Sequence, residues 1–169
     1  MEVLEAIFNR RSIRKYTAEK VSNEQIELLL KAAMYAPSAV NKQPWEFIVF
    51  HDRQTMQKIT EVHPNASMLL KSTTAILVCW DERRQHDAGY GPVDCAAATQ
   101  NILLAAHALG LGAVWVGLYP RQHRMEAVQQ IFGLPSDIRG FSIVSLGIPA
   151  EKKSAPDRYD ILKIHQEKW

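Results

Sequence analysis

The longest apolar stretch of the chain, residues 93–109, most constrains how the rest of the molecule can fold. Wound as a helix, this stretch places alanine and larger apolar side chains on nearly every face. A surface helix carries a single apolar stripe, whereas a helix that is apolar all round has to be buried. Gly110 follows directly and suits a C-terminal cap. We therefore expect a central helix that the other elements cover.

Shorter apolar runs on both sides of this stretch predict those covering elements. Four runs rich in branched and aromatic residues predict strands at residues 45–50, 75–80, 112–119 (with a turn) and 141–149. Amphipathic spacing predicts further helices at residues 3–8, from the capping box of Ser22 and Gln25 up to Pro37, after Asp52, and at residues 124–133. Strands interleaved with helices predict a layered α/β or α+β domain, and periodicity does not choose between the two.

Length and composition fit one domain over residues 1–169, because 47% of the residues are hydrophobic and one sizeable core can form. Residues 150–169 differ from the rest, since they are polar, contain Pro156 and end in a lone tryptophan. Such a segment forms no core element of its own. We expect this tail to lie across a surface through its apolar side chains. These are Ile161, Leu162, Ile164 and Trp169.

Several classes of chemistry lack their sequence signals. A net charge of +2 is too balanced to predict nucleic-acid binding. The histidines show no metal-binding spacing, and Cys79 and Cys95 lie in apolar stretches, so we expect no metal and two buried free thiols. Serine-hydrolase, dinucleotide-binding and phosphate-loop motifs do not occur. Without a leader pattern or an apolar run of about 18 residues, a cytoplasmic protein is expected. An enzyme of this kind takes its chemistry from a bound cofactor.

The segment NRRSIRKY, Asn9 to Tyr16, concentrates positive charge immediately after the first predicted helix. Arg10, Arg11 and Arg14 surround Ser12, and arginine forks fit phosphate oxygens in a bidentate manner. An anion site is one interpretation of this arginine segment. A solvated basic surface paired with acidic residues such as Glu19 is the other, and spacing alone leaves both open.

Two further stretches suit a flat ligand. In APSAVNKQPWEF, residues 36–47, the side chains of Ser38, Asn41 and Gln43 can hydrogen-bond the edge of a heterocycle, although a plain connection between helix and strand explains them equally simply. In GLGAVWVGLYP, residues 110–120, a glycine at position 117 lets the backbone approach a ligand closely.

Taken together and in this order, these stretches resemble the nitroreductase family of FMN-dependent oxidoreductases. The similarity extends to DCAAATQNILLAAHALGLGAVWVG in the middle of the chain and to SLGIPAEKKSAPDRYD near its end. At 169 residues the chain is similar to the short members of the family. The resemblance implies an α+β fold with a mixed, largely antiparallel sheet flanked by helices. It also implies a homodimer with two FMN sites at the interface and exchanged C-terminal segments, so that residues 150–169 become a dimer-embracing tail.

The resemblance also implies roles for individual residues. The implied contacts to the flavin phosphate and ribityl chain are Arg10, Arg11, Ser12 and Arg14. Of these, Arg14 reaches toward the pyrimidine edge of the ring. Arg158 is similar to the late basic residue that completes the phosphate site, with Lys152 and Lys153 as alternatives. The loop that the other subunit lays against the isoalloxazine corresponds to Pro37, Ser38, Ala39, Asn41 and Gln43. The strand end beside the ring, where a backbone N–H faces N5, corresponds to Trp115, Val116, Gly117 and Leu118.

The implied activity is transfer of a hydride from NADH or NADPH to flavin N5, followed by transfer of electrons to an electron-poor acceptor such as a nitroaromatic or a quinone. Both reactants use the same place above the ring, which predicts ping-pong kinetics. No side chain is expected to act as a catalytic acid or base, because the flavin carries the chemistry. An FMN-binding or storage protein with no general reductase activity is the alternative, and a structural dimer with an empty site is a third. The sequence identifies neither the preferred nicotinamide nor the acceptor, nor a role for residues 81–92.

Overall fold

The computed structural model describes all 169 residues and contains every helix and strand expected from the sequence, with ends shifted by a few residues. The helices are α1 (Val3–Asn9), α2 (Asn23–Met34), α3 (Arg53–Val62), α4 (Tyr90–Ala108) and α5 (Gln122–Phe132). The strands are β1 (Trp45–Phe50), β2 (Thr74–Asp81), β3 (Gly112–Gly117) and β4 (Ile138–Gly147). Helix α4 begins three residues before Val93, at Tyr90. It can include Pro92 because this residue lies in the first turn, where a missing N–H breaks no helical hydrogen bond.

The four strands form one sheet in the order β1-β2-β4-β3, and each neighbouring pair is antiparallel. The one parallel pairing is a single bridge between Ser12 and Ala113. The α+β class implied by the resemblance is therefore confirmed. Within one chain, this bridge is the only parallel pairing of the mixed sheet that the resemblance implies. Strand β3 lies at the edge of the sheet, which leaves half of its backbone groups free for other partners.

The sheet divides the apolar interior into two layers. Alternate residues of β2 point to opposite faces, so Ile76 and Val78 face α2 and α4, whereas Leu77 and Cys79 face α3 and α5. All eight residues of β2 are buried. Helix α4 packs against α1, α2 and all four strands of the sheet. The expected central buried helix is thus confirmed.

Local signals in the sequence set the helix ends as expected. Ser22 and Gln25 form the capping box of α2, and the Asp52 carboxylate accepts hydrogen bonds from the backbone N–H of Thr55 at the start of α3. Gly110 and Gly133 follow α4 and α5 with φ of +75° and +61°. Left-handed backbone of this kind costs glycine less than other residues, and it ends each helix sharply.

The two cysteines are buried free thiols, as predicted. The Cys95 thiol donates a hydrogen bond to the Cys79 carbonyl oxygen at 3.2 Å. Burial raises the pKa of Cys79 to about 12 and also raises that of Cys95. Both side chains are therefore uncharged packing groups at neutral pH.

The two ends of the chain are the least covered parts of the molecule. In α1 only Ala6 is buried, while Leu4 and Phe8 are each 63% exposed. The tail contains one short helical turn, Ile161–Lys163, and Leu162 within it is 83% exposed. None of the helices has the length and apolarity needed to cross a bilayer, and the cytoplasmic location stays a prediction.

Candidate functional site

The arginine segment lies between the edge strand β3 and the chain that leaves β4. The Ile13 N–H donates to the Ala113 carbonyl at 3.0 Å on one side. On the other side, the Thr17 N–H donates to Ile148 at 2.9 Å, and the Ala150 N–H donates to Lys15 at 2.8 Å. These backbone bonds extend the sheet by a short stretch and fix the direction in which the arginines project.

Two glycines permit this close approach. A Cβ atom added at Gly147 would lie 2.8 Å from the Tyr16 ring, and one added at Gly112 would lie 2.7 Å from the Ile13 side chain. Tyr16 itself donates to the Ile13 carbonyl at 2.7 Å and accepts from the Ser145 hydroxyl at 3.1 Å. Burial raises the pKa of Tyr16 to about 12, so this phenol stays neutral and serves as a packed anchor.

Arg11 fastens the beginning of the tail to the arginine segment. Its Nε donates to the Ser154 carbonyl at 3.0 Å, and its terminal nitrogens donate to the carbonyls of Phe8 at 2.7 Å and Arg10 at 2.5 Å. The Lys153 ammonium makes a second tie, since it donates to the Ser12 carbonyl at 2.7 Å. Arg11 therefore uses its side-chain donors on backbone oxygens.

Glu151 makes a third connection between the tail and the arginine segment. Its Oε1 accepts from the backbone N–H of Arg14 at 2.7 Å and from that of Lys15 at 3.3 Å. The same oxygen lies 3.3 Å from the Lys153 ammonium. The hydrogen bond from the Arg14 backbone is the main cause that holds the pKa of Glu151 below its usual value, with Lys153 adding to the effect.

A cavity of about 670 Å³, the Arg10 cavity, opens between α1 and the tail and is lined by Arg10, Arg11 and Arg158. None of these three arginines forms an ion pair, with Glu19 or with any other acid. Burial, then the charges of Arg11 and Arg158, lower the pKa of Arg10. The one carboxylate in the lining, Asp157, accepts from the backbone N–H of Tyr159 at 3.1 Å.

A second cavity of about 540 Å³, the Arg14 cavity, lies at the end of β3. Arg14, Arg121 and Arg124 line it together with Trp115 and Gly117, and no acidic residue takes part. Trp115 is held by an edge contact with the Phe141 ring, with centroids 5.4 Å apart. The Val116 and Leu118 side chains are buried in the core, at 3% and 1% exposure; Val116 is among the lining residues of the cavity and Leu118 is not.

The alternation of an antiparallel ladder decides which backbone groups of β3 face this cavity. The Leu118 N–H donates to Phe141 in β4, which directs the groups of residue 118 inward. The Ala113 and Gly117 carbonyls instead accept from groups outside the sheet. Trp115 lies between these two in the same alternation, so its N–H and that of Gly117 point outward.

His63 and Arg124 together hold the Gly117 carbonyl. His63 Nε2 lies 2.9 Å from this oxygen, and Arg124 donates to it at 3.3 Å. His63 Nδ1 accepts from the Asn65 backbone N–H, whereas Nε2 lies within hydrogen-bond distance of two groups, the Gly117 carbonyl and, at 3.0 Å, Arg124 Nη1. Burial lowers the pKa of His63, and the nearby Arg124 and Arg121 act in the same direction. A neutral imidazole therefore fixes the strand end.

The loop of residues 37–43 is ordered by its own contacts and lines neither of these two cavities. The Ala39 N–H donates to the Asp94 carboxylate at 3.0 Å, and the Gln43 N–H donates to the Ser38 hydroxyl at 3.0 Å. Asn41 and Gln43 have φ of +54° and +47°. Left-handed backbone at residues other than glycine is strained, and strain of this kind is concentrated at functional sites.

Within one chain, the fold therefore gathers the residues expected from the sequence into two groups and leaves others apart. Arg158 joins Arg10 and Arg11, whereas Lys153 is tied to Ser12 and Lys152 is exposed. Arg14 joins the Trp115–Gly117 strand end, and the 37–43 loop stays separate. Sequence reasoning missed Arg121, Arg124 and His63. The run RQHR, residues 121–124, directly after GLYP was a second basic cluster that could have signalled the two arginines.

The fold is of the α+β class, with a helix-flanked antiparallel sheet whose edge strand ends beside a cationic cavity. A sequence model of the nitroreductase family matches residues 7–66 and 61–148. The chain therefore belongs to the nitroreductase family of oxidoreductases.

Individual relatives agree with this assignment. A protein of Methanothermobacter thermautotrophicus, provisionally described as an NADH dehydrogenase/NAD(P)H nitroreductase, is 48% identical over 169 residues, which is 100% of this chain and 88% of that protein. A solved structure from Parabacteroides distasonis with the same provisional description superposes with a TM-score of 0.95 at 40% identity, covering 99% of this chain and 98% of that one. A protein from Desulfovibrio desulfuricans, provisionally described as a nitroreductase and solved in complex with FMN, gives a TM-score of 0.86 at 32% identity, covering 100% of this chain and 98% of that one.

Proposed function

We propose that this protein is an FMN-dependent oxidoreductase that takes reducing equivalents from NADH or NADPH and passes them to an electron-poor acceptor, such as a nitroaromatic or a quinone. One observation carries this proposal. Arg10, Arg11 and Arg158 line a single cavity without an ion pair, and Arg14, from the same segment, lines a second cavity at the strand end that offers free backbone N–H groups to a flat ring.

The Arg10 cavity fits the phosphate of FMN. Three guanidinium groups in one place repel each other, and a phosphate dianion offsets this repulsion through charge-assisted hydrogen bonds. In this assignment Arg10 and Arg158 contact the phosphate. Arg11 acts by holding the tail, and thereby Arg158, against the arginine segment, because each of its three guanidinium nitrogens already donates to a carbonyl oxygen. Ser12 completes the contacts to the ribityl phosphate.

The Arg14 cavity fits the isoalloxazine ring. The Trp115 and Gly117 N–H groups are the backbone donors beside it, with Val116 and Leu118 supporting them from the core. Arg14 lies in the same cavity and provides positive charge for the pyrimidine edge, where reduced flavin is negative. When bound, FMN supplies a two-electron carrier that accepts a hydride at N5 and returns electrons in a separate half-reaction, which gives ping-pong kinetics. The protein's groups bind, orient and neutralise charge, and none acts as an acid or base.

We infer that the working unit is a homodimer of single domains, each spanning residues 1–169. The exposed apolar side chains of α1 and of the tail support this inference, since neither surface finds cover within its own chain. In the dimer, the partner's 37–43 loop, with Pro37, Ser38, Ala39, Asn41 and Gln43, covers the ring, and residues 150–169 embrace the other subunit.

Truncation tests the role of the tail. Deleting Ile161–Trp169 removes apolar side chains that are about half to fully exposed in their own chain, so we expect a weaker dimer and a melting temperature that depends more steeply on protein concentration. Sedimentation velocity across a dilution series measures this. An unchanged dimer would disprove the embrace.

The visible absorption spectrum under anaerobic conditions tests the activity itself. We expect flavin bands in the purified protein, or after addition of FMN, that bleach on addition of NADH or NADPH and return with an electron-poor acceptor. Bands that persist with both nicotinamides would establish the alternative, a protein that binds or stores FMN without general reductase activity. Failure to take up FMN at all would overturn the assignment of both cavities.

A further inference from the structure

The Arg14 cavity contains more positive charge than the proposed cofactor uses. FMN has a single phosphate, which the Arg10 cavity accommodates, and the reduced ring has one negative charge, which Arg14 meets. Arg121 and Arg124 remain, and neither forms an ion pair with any residue of the chain. No acidic residue lines the cavity to compensate them.

The surroundings of these two arginines contain no negatively charged group. Arg124 Nη1 donates to the Gly117 carbonyl and lies 3.0 Å from His63 Nε2, and the buried Nε of Arg124 has no hydrogen-bond partner. His63 is neutral, because burial lowers its pKa, and it offers no negative charge. Arg121 also lies immediately before α5, as its N-cap residue, and the N–H groups of Gln122 and His123 lack backbone partners, which adds to the positive potential of the arginines. Arg121 and Arg124 therefore have no negatively charged partner within the chain, and the cavity that they line is suited to bind an anion.

We propose that Arg121 and Arg124 form a subsite for a carboxylate on the electron acceptor, so that the substrates of this enzyme are small aromatic or conjugated acids. This inference rests on the proposed function, because it places the acceptor beside the flavin ring. Two arginine forks suit the planar, bidentate geometry of a carboxylate. A cavity of about 540 Å³ has the size of a site for a small molecule.

The position of Arg124 favours an acid on the reacting ring over a phosphate of the nicotinamide co-substrate. Arg124 contacts the carbonyl of Gly117, the residue whose N–H is assigned to the flavin ring. An anion that Arg124 holds therefore lies close to the flavin. A carboxylate attached to an aromatic or conjugated system meets this condition, whereas the phosphates of NADH and NADPH are separated from the nicotinamide by a ribose.

Binding without turnover tests the subsite directly. Titration calorimetry of the FMN-loaded protein with benzoate and with benzamide compares an acid with its neutral isostere. We expect benzoate to bind more tightly, and Arg121→Gln to reduce this preference about tenfold, since it removes a charge-assisted hydrogen bond. Lys58→Gln removes one positive charge from an exposed site on α3 without an ion pair and keeps the preference. Equal binding of the two probes, or a preference unaffected by Arg121→Gln, would overturn the proposal.

Kinetics separate an acid acceptor from a dinucleotide phosphate. With 4-nitrobenzoate and nitrobenzene as paired acceptors, Arg121→Gln should lower the ratio of their kcat/KM values about tenfold through KM for the acid. Raising the ionic strength should reduce the same ratio in the unaltered protein. A rise in KM for NADPH or NADH with no change in that ratio would assign the arginines to the co-substrate and overturn the proposal. The two proposals fail separately, because flavin that does not bleach refutes the reductase while calorimetry still reports the anion preference.

Discussion

Strand β2 and the tail differ most in burial and in pairing. The comparison distinguishes the residues that stabilise the fold from those that are available to bind partners. Strand β2 is paired on both sides and every residue in it is buried. The tail is exposed along most of its length, and its firm contacts are with the arginine segment at residues 151–154. In the interior, apolar side chains and backbone groups find their partners within the chain. Unpaired arginines and exposed apolar side chains occur instead in the arginine segment, the two cavities and the tail. These groups indicate partners outside the chain.

The largest effect expected concerns the interior side of this contrast, where burial sets the cost of losing an apolar side chain. Ile76 in β2 is fully buried, so Ile76→Ala should lower the free energy of unfolding by about 2–5 kcal/mol through lost burial and a residual cavity. Val62, at the end of α3, is 38% exposed and serves as the control, since Val62→Ala should change the same quantity by no more than about 0.5 kcal/mol. Urea unfolding at one protein concentration measures both. Similar losses would show that burial does not set the cost of these truncations.

Removal of a cation should have the reverse signature, with a loss of binding and no loss of stability. Arg10→Ala deletes the proposed contact to the FMN phosphate, and a contact of this kind contributes about 1.5–3 kcal/mol, which is roughly tenfold or more in affinity. The apoprotein should keep or raise its melting temperature, because Arg10 is repelled by Arg11 and Arg158 and satisfied by no acid. Fluorescence titration with FMN and apoprotein melting give the two readouts, with Lys58→Ala as the control. An unchanged FMN affinity would show that the phosphate does not bind at Arg10.

Gly147 connects the two regions, since it lies in β4 and touches the anchor of the arginine segment. Gly147→Ala places a Cβ against the Tyr16 ring and should cost about 1–3 kcal/mol of stability through overpacking, together with weaker FMN retention. The same change made in a Tyr16→Ala background should cost less, because the obstructing ring is gone. A double-mutant cycle on unfolding free energies measures this coupling. Strictly additive effects would mean that the contact does not position the segment.

The interior could be predicted from the sequence because its physics is local and repetitive. The apolar run of β2, the all-round apolar helix α4, and the caps at Ser22, Asp52 and Gly133 each specify structure within a few residues. Strand order is a longer-range property, and periodicity alone did not separate α/β from α+β.

The site was predictable only where its residues are neighbours in sequence or match a family motif. Arg10 and Arg14 are four positions apart, yet the fold directs them to different cavities. Arg121 and Arg124 were missed because their proposed role depends on the tertiary structure, which places them with Arg14 in one cavity that no acidic residue lines. The family motif predicts that Arg11 contacts the ligand. Only the structure shows that its guanidinium nitrogens donate to carbonyl oxygens of the chain.

The smallest effect expected is a pH-dependent one at the contact between the tail and the arginine segment. Glu151 accepts hydrogen bonds from the backbone of Arg14 and Lys15, and the first of these lowers its pKa below the ordinary value of 4.5. A carboxylate with a lowered pKa in the folded state stabilises the protein above its unfolded pKa, and this contribution is lost as pH falls through the folded value. Glu151→Gln should therefore be less stable than the unaltered protein at pH 7, and the difference should shrink on acidification below pH 4.5.

The control for Glu151 is Glu61→Gln on α3, because Glu61 is exposed and forms neither an ion pair nor a side-chain hydrogen bond. Unfolding free energies of the three proteins across this pH range give the comparison. A Glu151 effect that is equally large at pH 4 and pH 7 would show that charge does not matter at this contact. The tail would then be held by Arg11 and Lys153 alone, and the arginine segment would keep its direction without a carboxylate beneath Arg14.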